Sequence, residues 1–121
     1  MSLAWQFRAV RTPAKNVILG WLGRDKVLQA RLDSCLRRLR KMATPWPMPY
    51  YRPLGDGIGE VRFDLRNVEH RLYGYFGPGP NDFTVVLASS GKKGQNKRIK
   101  AAKRLKRQYE MAAPELENYD V

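Results

Sequence analysis

The residues best suited to chemistry lie between positions 60 and 76, in EVRFDLRNVEHRLYGYF. Strand-type residues alternate there with cations. Successive side chains of a strand point to opposite faces. Val61, Phe63 and Leu65 therefore share one face, and Arg62, Asp64 and Arg66 the other. In the next segment Arg71, Tyr73 and Tyr75 share one side, with Leu72, Gly74 and Phe76 opposite. With the apolar sides turned to helices, one open face would carry Arg62, Arg66, Arg71, Tyr73 and Tyr75. Guanidinium forks grip phosphate through paired N–H donors. Aromatic rings stack on unpaired bases. The chemistry of such a face is RNA binding anchored on phosphate. The competing reading is a solvated strand face in which Asp64 pairs with a neighbouring arginine.

Two further basic segments follow. Gly91–Lys92–Lys93–Gly94 comes after the most apolar strand, FTVVLAS, and just before a helical pattern. Lysines placed there suit a phosphate clamp; the alternative is a solvated turn. The glycine spacing and Lys-Ser/Thr pair of a P-loop are missing. Residues 92 to 107 then contain no acid, whereas salt-bridged helix faces alternate sign. Lys97, Arg98, Lys100 and Arg104 are the candidate RNA contacts on this helix, beside Lys103, Lys106 and Arg107.

His70 is the only histidine and Cys35 the only cysteine. With no clustered carboxylates beside them, neither a metal centre nor a Ser-His-Asp triad is expected. Cys35 falls on an apolar helix stripe and reads as core. No internal disulfide is possible.

The elements that must position these groups are readable from period and punctuation. AWQFRAVRT alternates Trp5, Phe7 and Ala9 and predicts a first strand. From Asp25 to Ala43, Val27, Leu28, Leu32, Cys35, Leu36, Leu39 and Met42 recur at three-and-four spacing, which predicts an amphipathic helix. TPWPMPYYRPLGDG holds four prolines, Pro45, Pro47, Pro49 and Pro53, and reads as a connecting loop. Strands are expected over 59–66, 70–77 and 83–89, joined as an antiparallel meander by RNVEH and GPGPND. A helix from about Gln95 carries a narrow stripe of Ile99, Ala102, Leu105 and Tyr109 and ends before Pro114. The expected fold is α+β: a small, mainly antiparallel sheet of the N-terminal strand and the meander, with helices packed on one face. Residues 1–113 form one domain, and 114–121 an acidic, flexible tail.

Length and charge bound the function. The chain has 121 residues, 23 basic and 11 acidic, for a net charge of +12. That suits one domain attracted to polyanions. No run of eighteen apolar residues or secretory h-region is expected to take it into or across a membrane. The lone cysteine suits a reducing compartment.

The ordered set LGDGIGEVRF, then RLYGYF, then FTVVLASSGKKGQNKRIKAAKRLKRQYE resembles the RelE/ParE toxin superfamily, in particular its phage-derived HigB-like branch. Leu54, Gly55, Gly57, Ile58, Glu60, Val61 and Arg62 match its first motif. Arg71 with Tyr73, Lys92 with Lys93, and Lys97 through Arg107 match the rest. The resemblance covers about residues 50 to 110. It implies a cytoplasmic type II toxin, a cofactor-free and metal-independent endoribonuclease cleaving mRNA on the ribosome. It also implies a cognate antitoxin, a small helix-turn-helix DNA-binding protein. Arg62 and Arg71 would hold the scissile phosphate, with Lys92 or Lys93 completing the clamp. The His or Tyr that follows the last meander strand in many members is missing. Asp64 stands where strongly basic members carry Lys, either as a base or as a neutraliser of Arg62. Tyr73, Tyr75 and Tyr109 are other candidate bases. The alternatives are a non-catalytic RNA- or ribosome-binding module and a ParE-like inhibitor of DNA gyrase.

Overall fold

In the computed structural model, which describes residues 4–121, nine elements follow one another. They are β1 (Gln6–Val10), α1 (Val17–Leu22), α2 (Lys26–Arg40), β2 (Tyr51–Gly55), β3 (Ile58–Leu65), β4 (Val68–Phe76), β5 (Asp82–Ser90), α3 (Gln95–Met111) and β6 (Leu116–Tyr119). The architecture is α+β. The strands form one mixed sheet in the order β2-β3-β4-β5-β1-β6. Among the described residues only β1 and β5 pair in parallel; the other four pairings are antiparallel.

Local chemistry explains most boundaries. Asn16 caps α1 by accepting from the amides of Ile18 and Leu19, and Gly23 ends it at φ 58. Asp25 caps α2 through the Leu28 amide. The α2 stripe of Leu28, Leu32, Cys35, Leu36 and Leu39 is buried as its spacing predicts. The β3–β4 turn is tighter than RNVEH suggested. Only Arg66 and Asn67 turn the chain, both at positive φ (54 and 62), the arrangement whose twist matches a two-residue hairpin.

The sheet is covered on both sides, which corrects the expectation of helices on one face. On one side α1 and α2 lay Ile18, Leu32 and Leu36 over Phe7, Val61, Leu72, Phe83 and Val85, with Trp46 closing the end. On the other, α3 lays Ala102, Ile99, Leu105 and Tyr109 against Ile58, Tyr73 and Val86. A sheet covered on both faces needs apolar residues at successive positions. Leu72 and Tyr73, adjacent in β4, are both fully buried, one in each layer.

Three elements were not foreseen. One is the short α1. Another is β2, which lies within the proline-rich segment. It is an edge strand, so Pro53 can sit in it, because a missing donor on an edge costs no ladder bond. The third is β6, built from the acidic tail that had been expected to be flexible. It pairs with β1, and Tyr119 donates to Asp33 Oδ1 at 2.7 Å. Glu117 accepts from Arg11 Nη1 at 2.6 Å and from Asn16 Nδ2 at 2.8 Å.

One irregularity bears on the site. The β4–β5 register shifts between Tyr73 and Gly74, and beyond it Arg71 faces Ser89 and His70 faces Ser90. A side chain at Gly74 would meet the Thr84 carbonyl at 2.2 Å, so only glycine fits this irregularity.

Candidate phosphate-binding site

Arg62 and Arg71 are cross-strand partners midway along the β3–β4 ladder, on the face that α3 partly covers. Arg71 is buried and tightly held. Its Nη2 donates to Glu69 Oε2, its Nη1 donates to the Gly91 carbonyl at 3.2 Å, and its Nε lies 3.3 Å from Glu60 Oε2. Glu60 is buried as well and meets Arg52 Nη2 at 2.9 Å. Glu69 Oε1 lies 3.9 Å from Arg62 Nη1 and 3.8 Å from Lys92 Nζ. The result is one chain of charges, Arg52–Glu60–Arg71–Glu69, with Arg62 and Lys92 at its open end. Four cations meet two carboxylates, leaving two positive charges uncompensated.

Glu69 is the pivot. Partial burial pulls its pKa up, but the hydrogen bond from Arg71 outweighs this, together with the charges of Arg71, Lys92 and Arg62. Its carboxyl is held below the ordinary range. It is an anion sitting among the cations expected to hold a phosphate.

The expected site residues divide clearly. Arg62, Arg71 and Lys92 converge on Glu69, and Lys92 is largely exposed at 77%. Lys93 is exposed, and its carbonyl accepts from Arg98 Nη1. Lys97, Lys100 and Arg104 are exposed on α3, and Arg98 is half-buried. Arg66 is at the hairpin tip, away from the clamp. Tyr73 is fully buried beneath α3 and Tyr75 is half-buried, with Lys106 Nζ 5.9 Å from its ring centroid. Burial pushes both phenols upward, so neither is a stacking platform or a ready base. These two tyrosines were expected on an open face; they belong to the second core layer.

Asp64 is exposed. Among the described residues no cation lies within ion-pair distance of it. Only its backbone carbonyl is engaged, by Arg31 Nε at 3.0 Å. The neutralisers are Glu60 and Glu69 instead. The alternation that grouped Arg62 with Arg71 also puts Glu60 and Glu69 on that face.

His70 belongs to the opposite face. It stacks on Phe63 at 5.3 Å, and its Nδ1 lies 2.7 Å from Ser90 Oγ. Trp21 Nε1 donates to the same Ser90 oxygen at 3.0 Å. An indole can only donate, so the serine hydroxyl is free to donate onward to His70 Nδ1. Burial lowers the His70 pKa, with Asp25 and Asp64 opposing it more weakly. This triplet pins α1 to the sheet. Cys35 is buried, which raises its thiol to about 11 against the smaller effects of Arg31 and Arg38. It is inert core, as its stripe position predicts.

Among the described residues no three His, Cys, Asp or Glu side chains gather as a metal site. No described helix is long and apolar enough to cross a membrane. The chain matches no family model, no curated protein and no solved structure.

Proposed function

We propose that this protein is an RNA-acting toxin of the RelE/ParE type, a metal-independent endoribonuclease that cuts message on the ribosome. The observation that carries this reading is the convergence of Arg62, Arg71 and Lys92 on one carboxylate, a geometry that equally suits a phosphate. In the cut, the ribose 2′-oxygen loses its proton and attacks the adjacent phosphorus, and the 5′-oxygen leaves and takes a proton from solvent. The products are a 2′,3′-cyclic phosphate and a 5′-hydroxyl. Charge builds on the phosphoryl oxygens, and fixed cations there lower the barrier. Glu69 is the carboxylate at the clamp able to take the 2′-proton. Its lowered pKa makes it a weak base, so electrostatics carry most of the rate. The exposed lysines and arginines of α3 hold the flanking backbone. A cognate antitoxin, a small helix-turn-helix DNA-binding protein, keeps the toxin silent in the cytoplasm.

A second reading, a non-catalytic RNA-binding module, is favoured by one observation. Arg71 already has Glu60, Glu69 and the Gly91 carbonyl as partners. Primer extension on cellular message after induction separates the two. Discrete cuts support the nuclease; intact message with retained RNA binding supports the module.

A further inference from the structure

A notch lies between α2 and β3 and shares Arg62 with the clamp. β2 pairs with β3 only as far as Tyr51 opposite Val61. The last backbone bond between these chain segments runs from the Arg62 amide to the Tyr50 carbonyl at 2.9 Å. Alternate peptide groups of a strand point the same way, so the amide and carbonyl of Asp64 face the side that β2 has left. The Asp64 carbonyl is met there by a side chain, Arg31 Nε, and among the described residues no strand covers this edge. Such an edge is a template for another chain.

The notch is lined by Arg31, Arg38, Pro49, Tyr50, Arg62 and Phe63, and Asp64 is its one acid. Arg38 lies 5.3 Å from the Tyr50 ring centroid and donates through Nη1 to the Tyr50 hydroxyl at 2.9 Å. Among the described residues neither Arg31 nor Arg38 has a carboxylate partner, which leaves most of their N–H donors unused. An open strand edge lies beside apolar contact surface, with unpaired guanidiniums on the α2 wall.

We infer that this notch is a docking site for an extended acidic segment of a partner protein, which adds a short strand to the edge of β3. The segment's backbone pairs with the Asp64 peptide. Its carboxylates meet Arg31 and Arg38, and its apolar side chains rest on Phe63, Pro49 and Tyr50. A strand edge closed only by the Arg31 side chain at the Asp64 carbonyl favours a polypeptide over RNA, because backbone pairing at β-strand spacing is what an extended chain supplies once Arg31 turns to a carboxylate. This inference stands whether or not the protein cuts RNA.

The test uses the full chain and a fluorescein-labelled peptide of alternating Glu and Val. Its companions are a Lys–Val peptide, a Glu–Val peptide N-methylated at alternate positions, and oligouridylate. Amide shifts on titration should centre on Asp64, Leu65 and the Arg31–Arg38 stretch of α2. Arg31→Ala with Arg38→Ala, both at exposed positions, should weaken binding about tenfold or more, the loss expected for charge-assisted hydrogen bonds. N-methylation should weaken it as well, and the Lys–Val peptide should not bind. The inference is overturned by absent binding, by equal affinity for the double variant or the N-methylated peptide, or by shifts confined to α3 and the Lys92 loop. Oligouridylate that displaces the peptide and reproduces its shifts would make the notch an RNA surface instead.

Discussion

Glu69 and Arg71 stand two residues apart on the same face of β4, and the carboxylate holds the guanidinium. The group expected to grip phosphate is thus already gripping an internal anion. Glu60 holds it from the neighbouring strand. The two acids differ in exposure, because Glu60 is sealed in while Glu69 opens toward Lys92. That difference separates what stabilises the fold from what tunes the site.

Glu60→Ala should destabilise the protein by about 3–5 kcal/mol, because it leaves Arg71 buried with one carboxylate fewer. Urea unfolding measures this. Arg52→Ala, at a partly exposed position, should cost far less. Equal small losses in both variants would mean that Glu60 and Arg71 do not depend on each other.

Glu69→Gln should bind a 2′-deoxy oligonucleotide more tightly than the parent. The substitution frees Arg62 and Lys92 for phosphate. The logarithmic salt slope should steepen by about 0.7 for each additional single-strand phosphate held. Fluorescence anisotropy at several salt concentrations is the measurement. Weaker binding by the variant would show that Glu69 organises the cations rather than competing for them.

His70 gives the pH dependence a definite sign. Burial lowers its pKa in the folded state below the ordinary 6.5. The unfolded chain therefore takes up its proton first as pH falls. The contribution is fully present above about pH 6.5 and declines below it until the folded-state pKa is passed. His70→Gln should flatten that part of the stability profile measured by thermal unfolding. Glu69 acts at lower pH with the same direction. Its lowered pKa stabilises the fold above the ordinary carboxylate range, and that is lost as pH falls through the folded-state value.

Removing residues 114–121 should lower the melting temperature, since β6 pairs with β1 and Tyr119 reaches α2. Tyr119→Phe alone should cost about 1 kcal/mol, the usual net value of one hydrogen bond. An unchanged melting temperature after truncation would restore the view of this segment as a loose tail.

Much of this frame is legible in the residues themselves. The α2 stripe, the basic α3 and the three central strands follow from period and from the turn residues and Pro114 that punctuate them. The proline-rich segment hid β2 because edge position, a tertiary fact, is what makes Pro53 harmless there. α1 is six residues long and includes Gly20, too short for a helical period to stand out. Tyr73 misled because a tyrosine reads equally well as a stacking platform or as core, and only the position of α3 decides. Asp64 shares a face and a two-residue spacing with Arg62, and so do Glu60 with Arg62 and Glu69 with Arg71, so alternation alone does not say which acid meets the arginines; the packing of Arg71 between β3 and β4 picks Glu60 and Glu69. The register shift at Gly74, which sets Ser89 opposite Arg71, leaves no trace in the sequence beyond the glycine.

The decisive measurement is cleavage of ribosome-bound message by purified protein in the presence of a chelator, with product ends identified. Wild-type protein should give discrete cuts carrying 2′,3′-cyclic phosphate and 5′-hydroxyl ends. Arg62→Ala and Lys92→Ala, folded by circular dichroism, should each cut about 100-fold more slowly or worse. Intact message with the wild type, or cutting undiminished in both variants, would contradict the account.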